Sequence, residues 1–385
     1  MSRKIVPVTR KITPMSRRRF IQLGGLGAVS LYAAACGRGG TGTTAESPAA
    51  TSPASPTGAA TGSPTASPTD GATAGEIQAN LSSVTVGESN PNYAAQMSYQ
   101  LAAAQGYLEE LGIEEQEVTL SDQYIPGLIG GSLDIVHSDA NIAFGSAAES
   151  GEPITVVSCY RQNEWQIMGV RPGIETAEDL VGGTGTGGQI GSRNEAIQKR
   201  ILSELGLDPE TDMEFVPTTG ASDQRLQALL AGTVDAASLF PRHRFALEEA
   251  GGQFLYEELI EAPQEVFAVM GGWLEENSDT VLAWLTADIR ARQYMFDLDN
   301  QDEVLEIMRG QGFEIPPEFA DLYEVEIDQI SPDGGFNPEA MDELVALEQE
   351  IGNLPDDLEW RDYVDLTLLW AAQEANGLPR RPESV

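Results

Sequence analysis

Residues 182–188 read Gly-Gly-Thr-Gly-Thr-Gly-Gly and run into Ser192, Arg193, Asn194 and Glu195, residue types that together hold oxyanions. A glycine-rich turn ahead of a helix leaves backbone N–H groups free to point at a negative ligand, and the helix dipole favours that charge. Ser192 and Glu195 stand at capping-box spacing, opening a helix read over residues 196–205. A plain entry loop with an ordinary cap is the other reading of the same residues. No Lys-Ser/Thr pair follows the glycines, and their spacing is not a dinucleotide fingerprint, so a nucleotide loop is excluded. Catalysis has little to work with. The chain has two histidines, His137 and His243, and two cysteines, Cys36 and Cys159. Neither histidine sits in a nucleophile arrangement. Four such residues do not make a disulfide scaffold or a Cys/His zinc site, and no metal or cofactor is expected. His137 follows a buried strand and reads as an interior histidine satisfied by its neighbours.

The chain is 385 residues long, with 22 basic residues against 60 acidic ones and a net charge of −38. Arg3, Lys4, Arg10, Lys11, Arg17, Arg18 and Arg19 all precede Cys36 in a stretch without an acid, and beyond it Lys199 is the single lysine. A surface this acidic repels phosphate backbones and excludes nucleic acid as a partner. It suits solubility in a saline or alkaline exterior. Hydrophobic content of 41% supports a large core, and the length allows about two domains.

The elements that must position these residues alternate between strands and helices. Val84-Thr85-Val86 reads as a buried strand, and residues 92–105 as a helix with Tyr93, Met97, Leu101 and Ala104 on one stripe. Residues 108–113 close that helix, Val118-Thr119-Leu120 is a second strand, and the run 128–135 leads into a third. The same script recurs: residues 202–207 end a helix, Phe215-Val216 is a strand, and 229–236 follow. Two matches in the same order predict two lobes on one βαβ plan. After Ala262 the chain reads as helical. Val281, Trp284, Leu285 and Ile289, then Val304, Leu305 and Met308, then Met341, Leu344, Val345 and Ile351 recur at core-helix spacing. Residues 362–369 read as a closing element packed back on one lobe.

The N-terminus reads as an address. Ser16-Arg17-Arg18-Arg19-Phe20-Ile21 resembles a twin-arginine export signal, and the apolar run 20–35 is too short to span a bilayer permanently. Ala33-Ala34-Ala35-Cys36-Gly37 resembles a bacterial lipobox, with Ala33 where leucine is commoner, and predicts lipidation of Cys36. Residues 37–75 are built almost wholly from Gly, Thr, Ser, Pro and Ala, a composition unable to offset its ordering entropy. They read as a disordered tether spanning on the order of 35 Å. The mature chain is therefore expected outside the cytoplasm, lipid-anchored to the outer face of the cytoplasmic membrane.

Residues 103–113, 131–135, 177–180 with the glycine loop, and 228–236 resemble, in that order, the bacterial extracytoplasmic substrate-binding proteins of the sulfonate, nitrate and thiamine-pyrimidine type. The likeness covers about residues 80–375. It implies an α/β, two-lobed periplasmic-binding-protein fold of type II, each lobe a mixed sheet flanked by helices, with ligand in the cleft between them. Lobe I would be residues 76–175 plus 270–385 and lobe II residues 176–269. It also implies a monomer that delivers a small ligand, a sulfonate-like anion or a thiamine-pyrimidine-like heterocycle, to an ABC permease and its ATPase. Contacts in such folds come from the carboxyl ends of strands and from helix N-termini. Those positions are Asn92, Tyr93, Ser121, Ser138, Asp139, Tyr160, Arg161, Gly188, Ser192, Arg193, Phe240 and Arg242. On this reading Tyr93, Tyr160 and Phe240 sandwich a ring, and Arg161, Arg193 and Arg242 pair with an anion through their guanidinium forks. A thiamine-pyrimidine synthase-like enzyme of the same fold would need a cleft lysine for a Schiff base, whereas Lys199 lies on a polar helix face and the cysteine-rich motif is absent. A binding protein that feeds a sensor would share every one of these features.

Overall fold

The computed structural model describes residues 77–89, 91–218 and 222–385, Glu318 by its backbone alone. The expected export signal, Cys36 and the tether lie outside the described residues. Among the described residues eight strands form one sheet: β1 (Ser83–Glu88), β2 (Glu115–Leu120), β3 (Ile135–Asp139), β4 (Ile154–Val170), β5 (Gly183–Thr186), β6 (Met213–Phe215), β7 (Ala236–Ser238) and β8 (Gln253–Met270). Their order is β2-β1-β3-β8-β4-β7-β5-β6. β1 runs parallel to β2 and β3, and β5 parallel to β6 and β7. The two long strands lie between these triplets, antiparallel to each other, with β8 against β3 and β4 against β7.

The helices repeat the symmetry. Between β1 and β2 lie α1 (Tyr93–Ala104) and α2 (Tyr107–Glu110), between β2 and β3 lies α3 (Tyr124–Ile129), and α4 (Ala140–Ser150) follows β3. In the second half α5 (Arg193–Glu204) joins β5 to β6, α6 (Ser222–Leu230) joins β6 to β7, and α7 (Arg244–Glu249) follows. Residues 108–113 and 202–207 thus lead into corresponding strands, as do 128–135 and 229–236. The sequence repeat is the duplicated plan of the fold. The C-terminal third supplies α8 (Gly271–Glu276), α9 (Ser278–Phe296), α10 (Gln301–Gly310), α11 (Tyr323–Ile327), α12 (Pro338–Glu350) and α13 (Thr367–Ala375). The closing element ahead of α13 returns to β4, where Asp365 N donates to Val156 O.

Packing divides the molecule into lobes. One large core joins Met97, Phe144, Tyr160, Phe267 and Trp284, and all the helices after β8 contribute to it. The other lobe has a core on each face of its sheet, with Met168, Ile201 and Met213 on one side and Ile167, Leu229 and Leu247 on the other. Ile167 and Met168 are adjacent on β4, and the two-residue period of a strand sends them to opposite faces. Along β4 the packing passes from the first lobe to the second between Tyr160 and Ile167. Along β8 it returns between Tyr256 and Val266. The sequence places these boundaries at 175/176 and 269/270, but the changeover on β4 falls about ten residues earlier, in mid-strand. There the register shifts between Cys159 and Arg161 and again between Arg161 and Asn163.

Two local expectations are corrected. Residues 262–270 are not helical; they are the second half of β8. Val266, Phe267, Ala268 and Val269 are all buried, the mark of a strand covered on both faces. The glycine run is half strand, since Gly183–Thr186 is β5. Its glycines serve close packing. A Cβ on Gly187 would stand 2.3 Å from Glu195 N and 2.4 Å from Glu195 Cα, because the chain passes directly over the start of α5.

Candidate functional site

A cavity of about 610 Å3 opens between the lobes where four helices begin. Asn92 caps α1, its side chain accepting from Ala94 N at 2.9 Å, and Asp139 stands immediately before α4. Ser192 caps α5 by accepting from Glu195 N, and Ser222 is the first residue of α6. Helix starts carry unsatisfied N–H groups and positive dipole ends, so their convergence creates a field suited to negative charge. Of the twelve residues expected at the site, Asn92, Asp139, Arg161, Arg193, Phe240 and Arg242 line this cavity.

The other six lie elsewhere. Tyr160 is fully buried and its hydroxyl donates to Ala94 O at 2.7 Å, so it anchors α1 from within the core. Tyr93 is buried against Phe319. The ring clamp is therefore not formed: of the three aromatics only Phe240 borders the cavity. Ser138 is buried, donating to Asp139 O and touching the Tyr124 hydroxyl. Ser121 accepts from Gln123 N in the turn after β2. Gly188 N already donates to Thr186 Oγ1, so that N–H is spent inside the loop. Ser192 is occupied as a cap. Its partner Glu195 reaches back to Gly191 N at 2.7 Å, one residue before the position a capping box requires.

The arginines fall into two groups. Arg193 grips Glu164 with both guanidinium nitrogens, at 2.8 and 2.6 Å, donates to Gln264 Oε1 at 3.0 Å and lies 3.3 Å from Glu348. It ties α5 of one lobe to both crossing strands and to α12 of the other. Arg161 is held by Glu265 at 2.8 Å. Glu265 in turn lies 3.2 Å from His137 Nε2, while His137 Nδ1 meets Glu88. Burial would lower the pKa of His137, but the two carboxylates outweigh it and push the value up to about 10. Burial alone would raise Glu265, yet Arg161 and His137 bring it down to about 2. The interior histidine expected from sequence is thus the charged middle of an alternating chain that ends at the cleft.

Arg225 and Arg242 are different. Arg225 is buried and its Nε donates to the carbonyl of Ser238 at 2.7 Å. Arg242 donates to Ser222 Oγ at 2.7 Å and stacks on Phe240 at 4.6 Å. Among the described residues neither has a carboxylate within ion-pair distance. Burial, with Arg242 beside it, lowers Arg225 to about 10, and burial lowers Arg242 as well. The turn that aims Arg242 is fixed by His243: Phe240 N donates to Nδ1 at 3.0 Å, and Nε2 lies 2.9 Å from Asp223. Burial and Arg242 hold the His243 pKa down at about 4. Asp139 stands apart in another way: the residue is exposed to the open cleft, yet the protein crowded round its carboxyl and nearby Glu265 raise that group to about 6.

Arg225, Glu164, Gln264 and Glu265 were not among the expected site residues. Arg225 left a signal, since it shares the buried stripe of α6 with Ser222, Leu226 and Leu229, where a charge is out of place. Glu164 left one too, as part of the polar break 161–164 between apolar halves of β4.

The family model described as NMT1-like matches residues 78–309. YtlA of Bacillus subtilis (strain 168), provisionally named a binding protein, is 21% identical over 281 residues, spanning 69% of this chain and 82% of its own length. The periplasmic aliphatic sulphonate binding protein SsuA of Escherichia coli superposes with a TM-score of 0.57 at 17% identity, over 80% of this chain and 95% of that one. The periplasmic nitrate-binding protein NrtA of Synechocystis PCC 6803 does so with a TM-score of 0.56 at 15% identity, over 79% and 93%. These likenesses establish the periplasmic-binding-protein fold.

Proposed function

Because the chain belongs to the NMT1-like family, we propose that it is the extracytoplasmic solute-binding component of an ABC importer, holding a small organic anion in the interlobe cleft. The observation that carries this reading is the pair Arg225 and Arg242, two guanidiniums at the cavity that no carboxylate of the described residues meets within ion-pair distance, Glu326 and Asp223 acting on them only from farther away. Buried unpaired cations are expensive, and a sulfonate or carboxylate at their forks removes that penalty while gaining charge-assisted hydrogen bonds. Phe240 offers one apolar surface beside them. With a single ring at the cavity, the anion is favoured over a thiamine-pyrimidine-like heterocycle.

The enzymatic alternative lacks its reagent. Lys199 pairs with Glu195 at 3.2 Å and Glu210 at 3.1 Å on the outer side of α5, away from the cleft. The protein captures its ligand and releases it unchanged to a permease and ATPase. Lipid on Cys36, after export through the twin-arginine route, holds it at the outer face of the cytoplasmic membrane, and the tether lets the folded part stand clear. No helix among the described residues is long and apolar enough to cross a membrane.

Thermal unfolding of the purified chain with graded alkanesulfonates and alkanoates tests the proposal. A ligand at about 100 times its dissociation constant stabilises the chain by about 2.7 kcal/mol. Arg225→Ala and Arg242→Ala should each remove that stabilisation. A panel that leaves the unfolding temperature unchanged, or a compound recovered chemically altered, overturns the reading.

A further inference from the structure

One side chain reaches from lobe to lobe. Arg193 opens α5, a helix packed into the second lobe through Ile197, Ile201 and Leu202. Its guanidinium is anchored on the crossing strands, by Glu164 of β4 and Gln264 of β8, in the stretches where packing passes between the lobes. Beyond them it meets Glu348 of α12, a helix whose Met341, Leu344 and Val345 belong to the core of the first lobe. Among the ion pairs of the described residues, this one joins a helix of one lobe to a helix of the other. The contact stops short of a hydrogen bond. Glu348 Oε1 lies 3.3 Å from Arg193 Nε, yet that buried N–H is not aligned with any acceptor. Separation is equally well provided for. Glu348 Oε2 accepts from Asn353 Nδ2 at 2.7 Å and from Asn141 Nδ2 at 3.4 Å, both in the first lobe. Arg193 for its part keeps the two-pronged grip of Glu164.

We propose, resting on the cleft as the site that the lobes close around, that Arg193 and Glu348 form a latch between the lobes. A small further approach of α5 to α12 aligns the Nε–H with Glu348 and turns an ion contact into a charge-assisted hydrogen bond. Parting the lobes undoes that bond without stranding either charge, so the pair can open and close where an ion left wholly unpaired would weld the lobes together. The latch lies beside the crossing strands, where closure moves atoms least. A hydrogen bond nevertheless needs its heavy atoms within about 3.2 Å, so it is made or lost over about 1 Å of movement. Because the latch draws on no ligand atom, it shifts the population toward closure with the cleft empty. A closed form already partly populated leaves less for the ligand to do, and apparent affinity rises with that share.

The test is X-ray scattering of the full chain without ligand, fitted as a mixture of open and closed forms, with circular dichroism to verify folding. Glu348→Gln removes the charge that faces Arg193. Glu348→Asp keeps the charge but withdraws it by one methylene, and it serves as the second variant should the first fail to fold. In each, the closed-to-open ratio should fall at least about fivefold, as expected for one lost charge-assisted hydrogen bond, and the radius of gyration should rise above that of wild type. Folded variants with the wild-type radius would overturn the latch and leave Glu348 a structural acid of the first lobe. A lower denaturation midpoint without the larger radius would count the same way. No ligand enters the measurement, so a negative result here leaves the anion site standing, and a negative thermal panel leaves the latch standing.

Discussion

At the scale of single residues the two histidines have opposite electrostatic fates, and pH separates them. His137 has its folded pKa raised to about 10, so its contribution to stability is complete below the unfolded value near 6.5 and is lost as pH rises through about 10. His243 has its folded pKa lowered to about 4, so its contribution is complete above about 6.5 and is eroded as pH falls through about 4. Their joint contribution peaks near pH 6.5. In denaturant titrations, His137→Gln should flatten the alkaline limb of the stability profile relative to wild type, and His243→Gln should flatten the acid limb. Parallel profiles for either variant would refute the corresponding assignment. A second residue-scale prediction concerns Arg292, which has no exposed surface, pairs with Asp288 at 2.7 Å and donates to the carbonyls of Cys159 and Ser331. Asp288→Ala strands a buried guanidinium and should lower unfolding free energy by about 3–5 kcal/mol, read from the denaturation midpoint.

Among the elements, the approach of β5 to the start of α5 leaves no space for a side chain at Gly187. Gly187→Ala should destabilise the second lobe by about 1–3 kcal/mol, because the new methyl meets backbone that has nowhere to retreat. Hydrogen exchange should locate the loss in β5–β7, and uniform loss across both lobes would contradict it. Most of these elements were legible from pattern. The apolar stripes of α1, α9, α10 and α12 and the paired runs 128–135 and 229–236 follow from periods that any amphipathic helix or buried strand must show. What pattern concealed has physical reasons. The second half of β8 is apolar on both faces, so it lacks the alternation that distinguishes a strand from a core helix. The glycines of β5 read as a loop because their strand role depends on packing distances that spacing does not encode. The site was half legible. Helix starts announce themselves through caps, whereas Tyr160 and Arg225 exchange expected roles according to which face of their element the fold turns inward.

For the whole molecule, the stretches of β4 and β8 that cross between the cores are the expected axis of closure, since they are the strands that run from one core into the other. X-ray scattering of the chain saturated with a ligand found by titration should show a smaller radius of gyration than the free chain, and an unchanged radius would argue against closure. Cys36→Ala should move the protein from the membrane fraction to the soluble one, and unaltered retention would remove the lipid anchor from the account. The exchange of long strands between the lobes bears as well on the order in which a nascent chain can fold. The second lobe is complete once residues up to about 265 have left the ribosome, since both its crossing strands and β5–β7 are then available. The first lobe is not. β3 waits for the far end of β8, and its core waits for α9 through α13, so its early half emerges with an open sheet edge and bare apolar faces. A chain cut after residue 270 would pair the edge of β3 but keep those apolar faces bare, and should aggregate. The last helices made thus close the core that the first strands made began.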